Sequence, residues 1–185
     1  MHTDIQPRQF MMDDEGHILI NDFNRGKFQE YYFKNAVETK KQQQQQQESS
    51  DVIIPCTYCM PYSHGHYRAP EEFYSDPMND KLDSYSVCLV IWNLFSMEKP
   101  WVSLKGNYDA IKYVVRDYQM RPYLPHSMPG FVKDALRHCW RPNMYHRPDV
   151  NELMRKFRYF QQHIERLSDG KQDFTLYELE KMKAF

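Results

Sequence analysis

Between Leu82 and Leu94 the apolar residues Leu82, Tyr85, Val87, Leu89, Val90, Ile91 and Leu94 fall on nearly every side of a helix. A helix of that kind must be covered on several faces, so the rest of the chain has to supply a shell around it. Helical spacing recurs at Tyr108, Ile111, Val114 and Val115, and again at Phe131, Val132, Ala135, Leu136 and Cys139. A longer helix is expected from Asp149 through Leu153, Phe157, Phe160 and Ile164, with Asp149 accepting from early backbone N–H groups and Glu152 reaching back. Thr175 and Glu178 offer a second capping box for a short tail helix. The apolar run Val87 to Leu94 is far short of the ~20 residues a membrane helix needs.

The N-terminal part reads differently. Phe10-Met11-Met12 and His17-Ile18-Leu19-Ile20 flank Asp13-Asp14-Glu15-Gly16, the composition of two short strands and a turn. Such a hairpin would hold Asp4 and Asp22 side by side. Asn21 to Pro61 is low in regular pattern, and its run of six glutamines, Gln42 to Gln47, leads us to expect a disordered insertion over about 35–52. At 185 residues with a net charge of −1, the expectation is one domain and no electrostatic case for nucleic acid or an anionic membrane. Met1 to Phe10 has no apolar leader, which points to a cytoplasmic setting. The domain is expected over 1–167 and a C-terminal tail over 168–185.

Five ordered strings carry the strongest signal: H-T-D-I-Q-P-R-Q from His2, N-D-F-N from Asn21, Y-R-A-P-E from Tyr67, D-K-L-D-S-Y-S-V from Asp80, and C-W-R-P-N-M-Y-H-R-P from Cys139. Together they resemble the protein kinase superfamily, and the last is similar to the C-W-x6-R-P of tyrosine kinases and tyrosine-kinase-like kinases. The first two resemble the catalytic loop and D-F-G, the third the close of the activation segment. The resemblance implies a mainly α fold with a short β-hairpin, the C-terminal lobe of the kinase-like α+β fold without its N-terminal lobe. No G-x-G-x-x-G or V-A-I-K string occurs in the chain. It further implies ATP and Mg2+ as cofactors and phosphoryl transfer to a protein hydroxyl. Asp4 would be the base, Gln6 its neighbour at the phosphoryl group, and Asp22 and Gln9 the cofactor and metal positions. Asp83 would brace the catalytic loop, and Glu71 with Arg147 would form a buried ion pair of architectural role.

Several residues depart from that pattern. Gln6 stands where serine/threonine kinases carry lysine, which exchanges a full charge for a neutral amide. Gln9 replaces an asparagine metal ligand with a longer side chain. Thr3 replaces the arginine that meets an activation-loop phosphate, and Asn24 replaces the glycine of D-F-G, a mild change because asparagine tolerates left-handed backbone. Activity is therefore expected to be reduced or lost. The alternatives are a pseudokinase that presents its activation segment and the groove near Tyr108 to Val115 to a protein partner, or a fragment of an incomplete gene. Cys56, Cys59, His64 and His66 are zinc-type ligands, but H-x-H departs from the usual H-x3 to H-x5 spacing, and ordinary loop residues are the reading we take. Cys88 and Cys139 read as core. Thr39, Ser49, Ser50, Thr57, Tyr58 and Ser63 are phosphorylation candidates by position alone.

Overall fold

The computed structural model describes residues 1–28, 31–34, 52–55, 57–73 and 76–168. Residues 35–51 of the expected insertion, Cys56 and the tail helix at Thr175 to Glu178 lie outside the described residues. Elements run in the order β1 (Phe10–Met12), β2 (Ile18–Ile20), β3 (Tyr31–Lys34), β4 (Val52–Pro55), α1 (Lys81–Ser96), α2 (Tyr108–Lys112), α3 (Gly130–Cys139) and α4 (Val150–Ser168). The molecule is thus mainly helical with short antiparallel hairpins, as the sequence predicts. Helix α4 runs through Ser168.

The first hairpin forms where its turn chemistry places it. Phe10 pairs with Ile20, Met11 with Leu19 and Met12 with Ile18. Asp13 accepts from the N–H groups of Glu15 and His17, and Gly16 takes φ +85°, a left-handed conformation that glycine adopts without a Cβ clash. A second pair was not expected: Tyr31 aligns with Pro55 and Lys34 with Val52, antiparallel, across the glutamine-rich stretch. Val52 is therefore in a strand and not in the insertion.

Helix α1 is the centre of the core. Leu82, Tyr85, Cys88, Leu89, Val90 and Trp92 are buried, while Val87 and Ile91 are half-buried. Leu94 departs from the all-round burial that its sequence predicts and is 68% exposed. Helix α3 lays Val132, Leu136 and Cys139 against the core, and Cys88 and Cys139 are joined as a disulfide between α1 and α3. The core reading of both cysteines holds, while their pairing had no signal in the spacing. Helix α4 starts with Asp149 Oδ1 accepting the Glu152 N–H at 2.7 Å. Glu152 does not close the expected reciprocal cap; its carboxylate lies 3.8 Å from Lys156. Phe131 stacks on Phe160 with centroids 3.8 Å apart, which locks α3 onto α4.

Apolar exposure gathers on the first hairpin, while on α1 it is confined to Leu94 and Phe95 in the last turn. Met12, Ile18 and Phe23 are 71%, 65% and 61% exposed, with Met11, Leu19 and Ile20 beside them. A contiguous patch of this kind binds apolar surface wherever it finds it. The chain is expected to bind a hydrophobic dye and to self-associate on size-exclusion chromatography, and Met12→Lys with Ile18→Thr should reduce both. Unchanged dye binding in that variant would locate the sticky surface elsewhere.

Candidate active site

The loop before β1 hangs from α1. Asp83 Oδ2 accepts the His2 N–H at 2.6 Å and Oδ1 accepts the Thr3 N–H at 2.8 Å. Burial pushes the Asp83 carboxyl up, and those two N–H groups oppose the shift. Thr3 adopts φ +63° and Asp22 φ +65°. Left-handed backbone at a β-branched residue and at an aspartate costs ~1–3 kcal/mol each. The Thr3 hydroxyl, which donates to Arg25 O at 2.7 Å, and the bonds from Asp83 hold the loop against that strain. Such outliers gather where a site must be preorganised.

Asp4, Gln6, Gln9 and Asp22 do converge. Gln6 Nε2 donates to Asp4 Oδ1 at 2.9 Å, and Gln9 Nε2 donates to Asp4 Oδ2 at 3.0 Å and to Asp22 Oδ2 at 3.2 Å. The two carboxylates are therefore bridged by Gln9 and are not simply side by side. Gln9 is held there by β1 and β2, since its carbonyl accepts the Asn21 N–H at 2.8 Å. Its amide orientation follows from charge, because an amide oxygen turned inward would face two carboxylates. Phe23 lies against the His2 ring with centroids 4.9 Å apart and is mostly exposed. Asn24 sits in a right-handed 3-10 turn, Phe23–Arg25, so the left-handed residue of this stretch is Asp22.

The sequence reading missed Arg68. Its Nη2 lies 2.7 Å from Asp4 Oδ1, and its Nη1 donates to Thr3 O at 2.8 Å and to Glu72 Oε2 at 3.1 Å. Gly65 makes room for it, since a Cβ there would meet Arg68 Nε at 2.9 Å. Exposed Arg8 adds a longer ion pair to Asp4 at 3.7 Å. The one signal in the sequence was the position of Arg68 inside Y-R-A-P-E, four residues before Glu72. Around Asp4 lies a cleft of about 380 Å³ whose walls carry Arg8, Arg25, Arg68 and Lys99 against a single carboxylate, Asp4.

Below the cleft, the turn Pro70–Phe73 buries two acids. Glu71 and Arg147 meet fork to fork, Nη1 to Oε1 at 2.6 Å and Nη2 to Oε2 at 2.8 Å. Glu72 accepts from Arg68 and from the Ala69 N–H at 2.8 Å, yet burial raises its carboxyl to about 7. An acid raised on folding binds its proton more tightly in the native state. Stability is then greatest below the ordinary glutamate range and falls as pH rises through about 7, by ~3 kcal/mol for a shift of this size. The melting midpoint should therefore drop between pH 5 and pH 8, and Glu72→Gln should flatten that slope whatever it does to the midpoint itself. An equal slope in the variant would assign the pH dependence to another group.

The zinc-type cluster is not assembled among the described residues. His66 Nδ1 bonds to Pro100 O at 2.8 Å, and the His64 and His66 rings both pack on Tyr108. Cys59 is exposed.

A profile of the protein tyrosine and serine/threonine kinase family matches residues 1–157. Among curated relatives, the dual specificity protein kinase shkB of Dictyostelium discoideum is 23% identical over 156 residues, 84% of this chain and 21% of that protein. The dual specificity protein kinase zak2 of the same organism is 32% identical over 102 residues, 52% of this chain and 16% of that protein. A putative serine/threonine-protein kinase/receptor, R826, of Acanthamoeba polyphaga mimivirus is 23% identical over 154 residues, 83% of this chain. The chain spans about a fifth or less of the length of each of these three relatives. With Asp83 bracing the His2-Thr3 loop and Glu71 bound to Arg147, the matched region and the fold agree, and the chain belongs to the protein tyrosine and serine/threonine kinase family.

Proposed function

We propose that this chain is the acceptor-side lobe of a protein kinase domain whose phosphotransfer is weak or lost. In that reading Asp4 orients a protein hydroxyl in the cleft and takes its proton as the oxygen attacks the terminal phosphate. Mg-ATP, when bound, supplies the phosphoryl group and the cation that neutralises its oxygens. Asp22 offers the carboxylate oxygen such a hard cation requires. Gln9 stands between the two carboxylates, where its amide, turned over, would offer its oxygen to the same cation.

The observation that carries weak transfer is the engagement of Asp4. Oδ1 holds both Gln6 and Arg68, and Oδ2 holds Gln9, so few lone pairs remain for a substrate hydroxyl. The same latch favours, as a second reading, a pseudokinase that binds a protein partner through its basic cleft. No helix among the described residues is long and apolar enough to cross a membrane.

Transfer of labelled phosphate to a generic protein substrate by the full-length gene product tests this. Counts near background in wild type and unchanged in Asp4→Ala are expected. Robust turnover that Asp4→Ala abolishes would overturn the weak-transfer reading and leave the family untouched. Calorimetry of the 185-residue chain with Mg-ATP should show no binding tighter than about 100 μM, or roughly 5.5 kcal/mol.

A further inference from the structure

A second cavity, of about 740 Å³, opens between α3, the Met144–His146 turn and α4, and shares no lining residue with the cleft at Asp4. Its size falls within the ~300–1,000 Å³ of ordinary small-molecule sites. Its lining is one-sided in charge. Lys81, Arg141, Arg155 and Lys156 face a single carboxylate, Glu152, once Arg147 is set aside with its partner Glu71. The chain as a whole carries a net charge of −1, so these cations are gathered here against the average.

Their bonds leave charge to spare. Lys81 Nζ donates to Arg147 O at 2.7 Å and Arg141 Nη1 to His146 O at 3.0 Å, both neutral backbone acceptors that fix the side chains without cancelling them. Among the described residues, Lys156 lies 3.8 Å from the Glu152 carboxylate. In the same wall stands His138, whose Nδ1 is buried and whose ring is held by the Asp134 backbone. Burial and the charges of Lys156 and Arg141 push the His138 imidazole down, toward a neutral ring that can donate or accept. Tyr145 and Tyr159 add ring faces and hydroxyls.

Cations collected in a concavity focus potential in a way that scattered surface charges do not. Arginine forks and lysine point charges together suit phosphate oxygens. We propose that this cavity binds a small molecule bearing two or more clustered phosphate groups, either free in solution or as the headgroup of a lipid. Arg155 and Lys156 on α4 and Arg141 on the preceding loop would hold it. The site is independent of phosphotransfer at Asp4.

The probe is inorganic tripolyphosphate, titrated into the full chain by calorimetry, with sulfate at matched ionic strength as control. Binding in the micromolar range is expected, weakened at least about tenfold by Arg155→Ala with Lys156→Ala, and unaffected by Arg137→Ala on the exposed side of α3. Should the double variant fail to melt cooperatively, Arg141→Ala serves in its place. Vesicles containing a bisphosphorylated inositol lipid form the second arm; sedimentation with them, lost in the same variant, would identify the lipid as the source. No binding to either probe at about 1 mM, equal heat from sulfate, or binding indifferent to every one of these variants would overturn the proposal.

Discussion

Replacing Glu71 with alanine is expected to remove ~3–5 kcal/mol from the unfolding free energy, because it leaves a buried guanidinium without its counter-charge. Arg147 is 1% exposed, so its guanidinium is largely removed from solvent. Its remaining bonds, Nε to Arg141 O at 2.8 Å and Nη2 to Pro142 O at 3.1 Å, go to neutral carbonyls, and its guanidinium lies over the Tyr85 ring at 5.0 Å. Neither replaces a carboxylate. For a domain of this size each kcal/mol moves the melting midpoint by ~2–4 °C, so a fall of ~6–20 °C should follow. Arg147→Lys made alone should also destabilise, since one ammonium cannot satisfy two carboxylate oxygens and two carbonyls at once. Joint replacement, Glu71→Leu with Arg147→Met, is expected to recover much of the loss, because desolvating both ions offsets much of their attraction. Urea unfolding of the four chains decides it. A loss under about 1 kcal/mol for Glu71→Ala would mean that water reaches the pair.

That pair was legible in the sequence because two motifs named its partners, although 76 residues separate them. The first hairpin was legible for a local reason: Asp13 to Gly16 is turn chemistry between apolar runs. Helices α1 to α4 followed from period and caps, which are also local. What escaped was long-range. The pairing of β3 with β4 spans a low-complexity stretch that carries no turn signal, so period alone could not join Tyr31 to Pro55. The Arg68–Asp4 contact links residues 64 apart, and only the fold brings the activation-segment end over the loop. The exposure of Met12 and Ile18 was unreadable too. Both β1 and β2 are apolar at every position, so no alternation marked which face would be covered.

Gln6→Lys combined with Gln9→Asn should raise phosphotransfer by the full-length gene product ~10²- to 10³-fold over wild type, the usual worth of one restored electrostatic stabiliser. Gln6 already sits 2.9 Å from Asp4 Oδ1, so a lysine there keeps its anchor and adds a full positive charge beside the transferred group. Shortening Gln9 by one methylene withdraws its amide by ~1.5 Å. It can then no longer span Asp4 and Asp22, which frees Asp4 Oδ2 for the hydroxyl and Asp22 Oδ2 for the cation. Arg68 would remain on Oδ1, so the gain has a ceiling. Adding Gly65→Ala pushes the Arg68 side chain off its seat, because the new Cβ would stand 2.9 Å from Nε, and that triple variant should exceed the double. Asp4→Ala on top of either must return the rate to background if Asp4 is the base. A double variant that melts like wild type yet stays within about twofold of its rate would mean that neither glutamine limits transfer. If the triple variant then rises, the brake is Arg68 alone; if it too stays flat, Asp4 is no base in this protein and the basic cleft serves binding only.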